Sequence, residues 1–260
     1  MNIEYPITIL IDTGIISSSD TMQGTDKVQT IVWGDKAHNV NIAGFKRKPM
    51  PSADHEWLRD QIKCLPTVGR IAREGKVELY TYNELTNEEW KRPGSFPANV
   101  LGNLLAGVTF KYVDAAVERS FFFDMDISEN VSKEQVVKFC KWLLEAEVET
   151  FADRLEGQKK YSAFLLNNLR EVERFREISK GLSGKQYPDA FHLWTAEVNC
   201  IKYFLTLDKK FINAMTTSKR IDLPCKILSP SDVLDMMEIK ERDPFEYDEN
   251  QFFDLFGNPD

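Results

Sequence analysis

Apolar residues recur along the chain in runs that predict strands, and helical stretches separate these runs. The β-branched and aliphatic run Ile7–Ile11 is typical of a strand buried on both faces, and strands are also predicted at Val77–Tyr82, Tyr203–Leu207 and, more briefly, Lys226–Leu228. Strands that alternate with helices favour an α/β fold with a mainly parallel central sheet. We therefore predict a three-layer α/β/α domain.

Start and stop residues mark the helices that accompany these strands. One helix begins near Asp54 and is interrupted at Pro66. Another begins at Asp189 and buries its apolar face. The helix after the fourth strand is capped by either Ser229 or Ser231.

Two segments elaborate this domain, which we place at residues 1–240. The first is an insertion at about residues 17–53, in which Val28–Trp33 and Val40–Phe45 pair as a β-hairpin. The second is a hairpin of two long helices at about residues 132–181.

Composition and charge exclude few functions. The chain has 260 residues and 42% hydrophobic content, which is enough for one sizeable core. No apolar stretch approaches the roughly 20 residues that cross a bilayer, so we expect no membrane partner and a cytoplasmic protein with reduced cysteines. The formal charge is −8, of which residues 241–260 carry −6, leaving a body near neutrality that can hold local basic patches.

The acidic tail at residues 241–260 also carries aromatic residues, among them Phe245, Phe252 and Phe253. It is too acidic to pack easily and too aromatic for a plain solubilising segment. We predict that it docks, either on the chain's own surface or on a protein partner. A folded last segment is the alternative, and association between copies of the chain is left open.

Four carboxylates occupy positions next to these elements. Asp12 and Asp208 follow apolar strands directly, Glu84 follows the strand that ends at Tyr82, and Asp189 begins a helix. In open parallel sheets the strand ends and adjacent helix starts converge on one crevice, so we expect these acids to be neighbours. Two carboxylates ~4 Å apart repel by about 4 kcal/mol at an effective dielectric near 20, which favours a bound cation.

The ligand types favour Mg²⁺ or Mn²⁺ over zinc. Carboxylate oxygens suit these hard cations, whereas His38, His55 and His192 lack the spacing of zinc ligands. Such a cation activates a bound water and neutralises charge on phosphate oxygens, so no protein nucleophile is needed. Each acid also has a plainer interpretation, as a solvated surface group or a helix cap.

In chain order, these motifs resemble those of PIN-domain nucleases. The matching segments are Ile9–Thr13, Arg73–Thr81 with Glu84 and Leu85, Asp189–Leu193, Phe204–Asp208 and Ile227–Pro230. The resemblance implies a Mg²⁺- or Mn²⁺-dependent endonuclease that acts on RNA more often than on DNA. Its catalytic and metal-binding residues would be Asp12, Glu84, Asp189 and Asp208, with Thr13 and Thr206 in support.

Some positions depart from the pattern or suggest alternatives. The family commonly has Asn two residues after its first acid, where this chain has Gly14, and Glu88 is a substitute for Glu84 as the second acid. A PIN-like binding or assembly module without catalysis is therefore the first alternative. The second is a haloacid-dehalogenase-type phosphatase with Asp124 as nucleophile, because Phe121–Asp126 resembles that family's strand and DxD motif.

Basic residues near the predicted strand ends are candidates for substrate binding. They are Lys46, Arg47, Lys48, Lys209 and Lys210. A solvated helix start is the plainer interpretation of the last two, since exposed lysine is the usual case.

Overall fold

A parallel sheet of five strands forms the centre of the fold. The computed structural model describes residues 6–85, 103–123, 133–217, 221–245 and 251–254. The sheet comprises β1 (Ile7–Ile11), β4 (Val77–Thr81), β5 (Lys111–Tyr112), β6 (Tyr203–Leu205) and β7 (Lys226–Leu228) in the order β5-β4-β1-β6-β7. Four of these strands confirm the sequence prediction. The two-residue β5 was not predicted.

Helices cover both faces of this sheet, as predicted. The helices are α1 (Thr13–Ser19), α2 (Glu56–Arg73), α3 (Lys133–Glu145), α4 (Val148–Leu155), α5 (Ala163–Arg170), α6 (Glu173–Ser179), α7 (Tyr187–Val198), α8 (Lys209–Thr217) and α9 (Pro230–Met236). Short 3₁₀ turns occur at Ala53–His55, Arg119–Phe121 and Gly184–Gln186.

The alternation of side chains along β1 explains why four of its five residues are aliphatic. Ile9 and Ile11 join the core formed with α1, α2 and α9, and Leu10 joins the core formed with α3 to α8. All three are fully buried. A strand covered on both faces has no solvent side on which polar residues would be stable.

Pro66 lies inside α2 without interrupting it, so the predicted interruption is wrong. An interior proline removes one backbone donor and costs about 3 kcal/mol. Leu65 and Val68 on either side are fully buried, and each such side chain contributes about 1.5–3 kcal/mol. Packing of α2 against α9 therefore offsets the cost of the proline.

The predicted pair of long helices is divided into four shorter ones, α3 to α6. The buried positions of α3 include Cys140 and Leu143, and those of α4 are Val148 and Ala152. The step of five residues from Leu143 to Val148 shifts the apolar stripe by one position. One straight helix cannot bury both sets, and the chain turns at residues 146–147.

The predicted hairpin is confirmed and is longer than expected. Its strands are β2 (Met22–Trp33) and β3 (Lys36–Arg47), joined by a turn in which Gly34 has a positive φ of 64°. The tail adds a third antiparallel strand, β8 (Phe252–Phe253), against Phe45 and Lys46 of β3. Asp243, at the start of the tail, accepts hydrogen bonds from Arg70 of α2. Within the described residues, no helix has the length and apolarity to cross a membrane.

Candidate functional site

Three of the four predicted acids line one cavity at the carboxyl end of the sheet. The strand order reverses there, since β4 and β6 flank β1 on opposite sides. Such a reversal leaves a crevice beyond the strand ends. Asp12, Asp189 and Asp208 line this cavity, which has a volume of about 1240 Å³. The three acids thus share one cavity, although among the described residues no three such side chains are grouped closely enough to hold a metal ion.

Asp12 is held in place by two hydroxyl groups. Its side chain is buried, with 8% of the residue exposed. Thr206 Oγ1 donates to Asp12 Oδ2 at 2.9 Å, and Thr13 Oγ1 donates to Asp12 Oδ1 at 3.2 Å. Hydrogen bonds that stabilise the ionised carboxylate offset part of its desolvation cost. The supporting contacts expected of Thr13 and Thr206 are thus present.

Gly14 gives the Asp12 carboxylate the space it occupies. A Cβ atom at Gly14 would lie 2.9 Å from Asp12 Oδ2, closer than real Cβ contacts permit. Gly14, where the family that the motifs resemble commonly has Asn, therefore lies close to the Asp12 carboxylate. In this chain the threonine hydroxyls, rather than an asparagine at position 14, supply the hydrogen bonds to that acid.

Asp208 combines a cavity position with a capping role. Its Oδ1 accepts hydrogen bonds from the backbone N–H groups of Lys210 and Phe211 at 2.8 and 2.9 Å, which caps α8. The backbone N–H of Asp208 in turn donates to Thr206 Oγ1 at 3.0 Å. One hydroxyl group therefore links the Asp12 carboxylate to the Asp208 backbone.

Asp189 is a half-buried residue in the first turn of α7, and it does not cap that helix. The N-cap position belongs to Gln186, and Pro188 occupies the first turn as well. A carboxylate in the first helical turn is favoured by the positive end of the helix dipole. The helix thus holds Asp189 at the cavity wall.

Glu84, the fourth predicted acid, does not line the cavity among the described residues. It is buried, with 6% exposed, and forms an ion pair with Arg119, which is 2% exposed. Arg119 Nε donates to Glu84 Oε2 at 3.2 Å, and a second guanidinium nitrogen lies 2.7 Å from Oε1. The guanidinium neutralises the charge that was expected to face a cation. The alternative acid Glu88 lies outside the described residues.

The donor set fits a hard cation held by few protein ligands. Among the described residues, no group of three or more His, Cys, Asp or Glu side chains is arranged to enclose a metal ion. Mg²⁺ usually retains several waters and binds through one or two carboxylates together with substrate phosphates. Asp12 and Asp208, linked through Thr206, provide carboxylate oxygens of this kind.

The structure separates the five predicted basic residues into two places. Lys209 and Lys210 line the cavity. Lys46, Arg47 and Lys48 are not among the described residues that line it. Lys46 and Arg47 are the last two residues of β3, and Lys48 follows the strand. Lys48 forms an ion pair with Asp20 at 2.7 Å, and Arg47 donates a hydrogen bond to the Thr21 hydroxyl. The backbone of Lys46 lies opposite Phe252 of the tail strand β8.

Several cavity residues were missed by sequence reasoning. Lys138 and Lys141 of α3, Lys185 of the 3₁₀ turn before α7, and Trp57 of α2 all line the cavity. One signal was available for the first two, because their spacing places them on one face of a helix. Lys185 and Trp57 carry no comparable signal.

His192 is a buried cavity residue on α7, with 2% exposed. Its Nδ1 forms a hydrogen bond with the Tyr82 hydroxyl, which fixes the orientation of the ring. The helix places His192 one turn after Asp189, on the same side of α7. Although it lacks zinc-ligand spacing, His192 belongs to the same cavity wall as the acids.

The phosphatase alternative loses its structural basis within the described residues. The segment Arg119–Phe121 forms a 3₁₀ turn rather than the strand that this alternative requires. Phe122 and Phe123 pack against Trp142 of α3, which explains their apolar character. Asp124 itself lies outside the described residues.

Comparisons of the chain with protein-family models, with curated proteins and with solved structures found no match.

Proposed function

We propose that the protein is a metal-dependent endonuclease that hydrolyses phosphodiester bonds, in RNA more readily than in DNA, and that its domain is PIN-like. The observation that carries this proposal is the meeting of Asp12, Asp189 and Asp208 in one cavity at the reversal of strand order. These residues come from three separate parts of the sequence. Acids that gather in one cavity repel each other unless a cation or a proton compensates.

A bound Mg²⁺ or Mn²⁺ would supply an activated water and neutralise charge that develops on the phosphate. Asp12 and Asp208 are the residues that would hold it, and the two threonines keep the Asp12 carboxylate in one orientation. Asp189 lines the same cavity, where it would orient a water molecule. Lys209 and Lys210 supply positive charge for the phosphate backbone.

A cleavage assay tests this proposal. Structured and single-stranded RNA and DNA are incubated with wild-type protein, with and without Mn²⁺, and with the Asp12→Asn variant. We expect cleavage that requires the metal and falls by at least about 100-fold in Asp12→Asn, since a lost charge contact to the transition state costs about 2.7 kcal/mol or more. Asp54→Asn, an exposed acid on the same cavity, is the matched control and retains activity.

One observation favours the second candidate, a PIN-like binding or assembly module without catalysis. Glu84 forms an ion pair with Arg119 and is not among the described residues that line the cavity. One of the four expected acids therefore does not contribute to the site. Such a module binds nucleic acid or a partner without cutting. Binding without cleavage in Mn²⁺, unchanged by Asp12→Asn, would favour it over the nuclease.

A further inference from the structure

The β2–β3 hairpin exposes large apolar side chains at its far end. The exposed fractions are 62% for Val28, 37% for Ile31, 75% for Val32 and 79% for Trp33. Because side chains alternate along a strand, the two valines lie on one face of the hairpin, and Ile31 and Trp33 lie on the other. Exposed apolar side chains that gather in one place mark an interaction surface.

Strand β2, which carries all four of these residues, is an open edge of its sheet. The strand order is β2-β3-β8, so among the described residues β3 lies on one side of β2 and no strand lies on the other. The tail strand β8 pairs with Phe45 and Lys46, near the base of the hairpin. The described part of the hairpin beyond that point is a ribbon of two strands. Such a ribbon is marginally stable in water, and its open edge is a template for another strand.

A second copy of β2 fits this edge. Two β2 strands can pair antiparallel about a two-fold axis, which brings both hairpins into one sheet with like faces on the same side. When the axis passes through Thr30, Val28 lies opposite Val32 of the second copy, and Lys27 lies opposite its Trp33. Of the registers available to this strand, only this one pairs each exposed valine with a valine. Apolar and Thr–Thr pairs stabilise neighbouring strands.

The charged residues of β2 favour the same register. They are Asp26 and Lys27. In the register centred on Thr30 they lie opposite Gly34 and Trp33 of the second copy, so no like charges face each other across the edge. A register centred on Lys27 would place two ammonium groups opposite each other, and one centred on Asp26 would do the same with two carboxylates. Such pairs destabilise a sheet.

The bodies of the two copies stay apart in this arrangement. Gly34 at the tip of one hairpin lies opposite Asp26 of the other, and Met22, the buried first residue of β2, is four residues further along. At about 3.3 Å per residue, that is a gap of roughly 13 Å. Each chain has a formal charge of −8, and charges further apart than about 8 Å are largely screened at physiological salt. Repulsion between the bodies therefore opposes the pairing only weakly.

We propose that the protein forms a two-fold dimer in which the β2 strands of two copies pair antiparallel, centred on Thr30. The two hairpins and their tail strands then form one sheet of six strands, with a β8 strand at each outer edge. None of the described residues that line the cavity belongs to β2 or β3. This inference is therefore independent of the proposed nuclease function.

Sedimentation velocity of the full chain at micromolar concentrations tests this proposal. Val28→Lys and Val32→Glu each place a charge opposite a valine of the second copy, twice in every dimer. The double variant Val28→Lys/Val32→Glu instead places opposite charges in facing positions. Ala37→Lys is the matched control, because Ala37 is exposed and lies beside Val32 on β3, away from the open edge. Urea denaturation confirms that each variant is folded.

The expected results follow from the register. The wild type sediments at twice the mass of the chain. Either single variant raises the dissociation constant of the dimer by at least about 10-fold, since each charge occurs at two places in the interface. The double variant and Ala37→Lys remain within about 3-fold of the wild type.

Three results would overturn the proposal. A monomeric wild type does so, and leaves the open edge of β2 to a strand of a different protein. A wild-type dimer that neither Val28→Lys nor Val32→Glu weakens has its interface elsewhere on the chain. Single variants that weaken the dimer without recovery in the double variant exclude the register centred on Thr30.

Discussion

Gly14→Ala probes the support of Asp12 through stability alone. The added methyl group would lie 2.9 Å from Asp12 Oδ2, the same oxygen that accepts the Thr206 hydrogen bond. The carboxylate must move, and the hydrogen bond to Thr206 is lost. A hydrogen bond to a buried charged group contributes about 1.5–3 kcal/mol.

A second effect has the opposite sign. Gly14 lies in α1, and replacing glycine by alanine within a helix gains up to about 1 kcal/mol. The hydrogen-bond loss is larger, so the free energy of unfolding of Gly14→Ala falls by about 0.5–2 kcal/mol. In the Thr206→Val background that bond is already absent, and the carboxylate rotates away from the methyl group. There Gly14→Ala stabilises the protein by up to about 1 kcal/mol.

Urea denaturation of the wild type, the two single variants and the double variant measures this cycle. The predicted coupling between positions 14 and 206 is about 1.5–3 kcal/mol, well above the error of such cycles. Equal destabilisation by Gly14→Ala in both backgrounds would refute the reasoning. It would mean that the methyl group disturbs something other than the Thr206 contact.

Three further predictions concern other parts of the molecule. Arg119→Met leaves the charge of Glu84 buried and unpaired, so we expect the free energy of unfolding to fall by about 3–5 kcal/mol in urea denaturation. Combining it with Glu84→Gln restores most of this loss. An Arg119→Met variant within about 1 kcal/mol of wild type contradicts the prediction. In the native protein Cys200 reacts fastest with an alkylating reagent, because it is exposed while burial raises the pKa of two of the three buried thiols; peptide mass mapping that finds another site first argues against it. A Cβ atom at Gly44 would collide with the tail strand, so Gly44→Ala increases cleavage of the tail in limited proteolysis. A Cβ atom at Gly24 meets nothing within 4 Å, so Gly24→Ala does not increase it. Equal cleavage of the two variants would disprove the contact between Gly44 and the tail.

The strands that carry the acids were predictable because burial on both faces requires a local run of apolar residues. An apolar run such as Ile7–Ile11 needs cover on both faces, and the acid that follows it must lie at a strand end. By contrast, Lys111–Tyr112 is two exposed residues whose strand character comes only from pairing with β4. No local pattern distinguishes such a pair from a loop.

The partner of Glu84 was beyond sequence reasoning for a different reason. Arg119 lies 35 positions away in a 3₁₀ turn, and an arginine there gives no sign that it will be buried. The position of Pro66 was misjudged because the local cost of proline was known but the packing of α2 against α9 was not. Long-range contacts decided both outcomes.

Binding of Mn²⁺ to the protein is the most direct test of the central claim, which is that Asp12 and Asp208 hold one cation in the cavity that Asp189 also lines. Electron paramagnetic resonance reports free Mn²⁺ during titration of wild type, Asp12→Asn, Asp208→Asn and the matched control Asp54→Asn. The account predicts binding by wild type and by the control, and a loss of at least about 10-fold in affinity in the other two variants, corresponding to 1.4 kcal/mol or more. Equal Mn²⁺ affinity in all four proteins would contradict it.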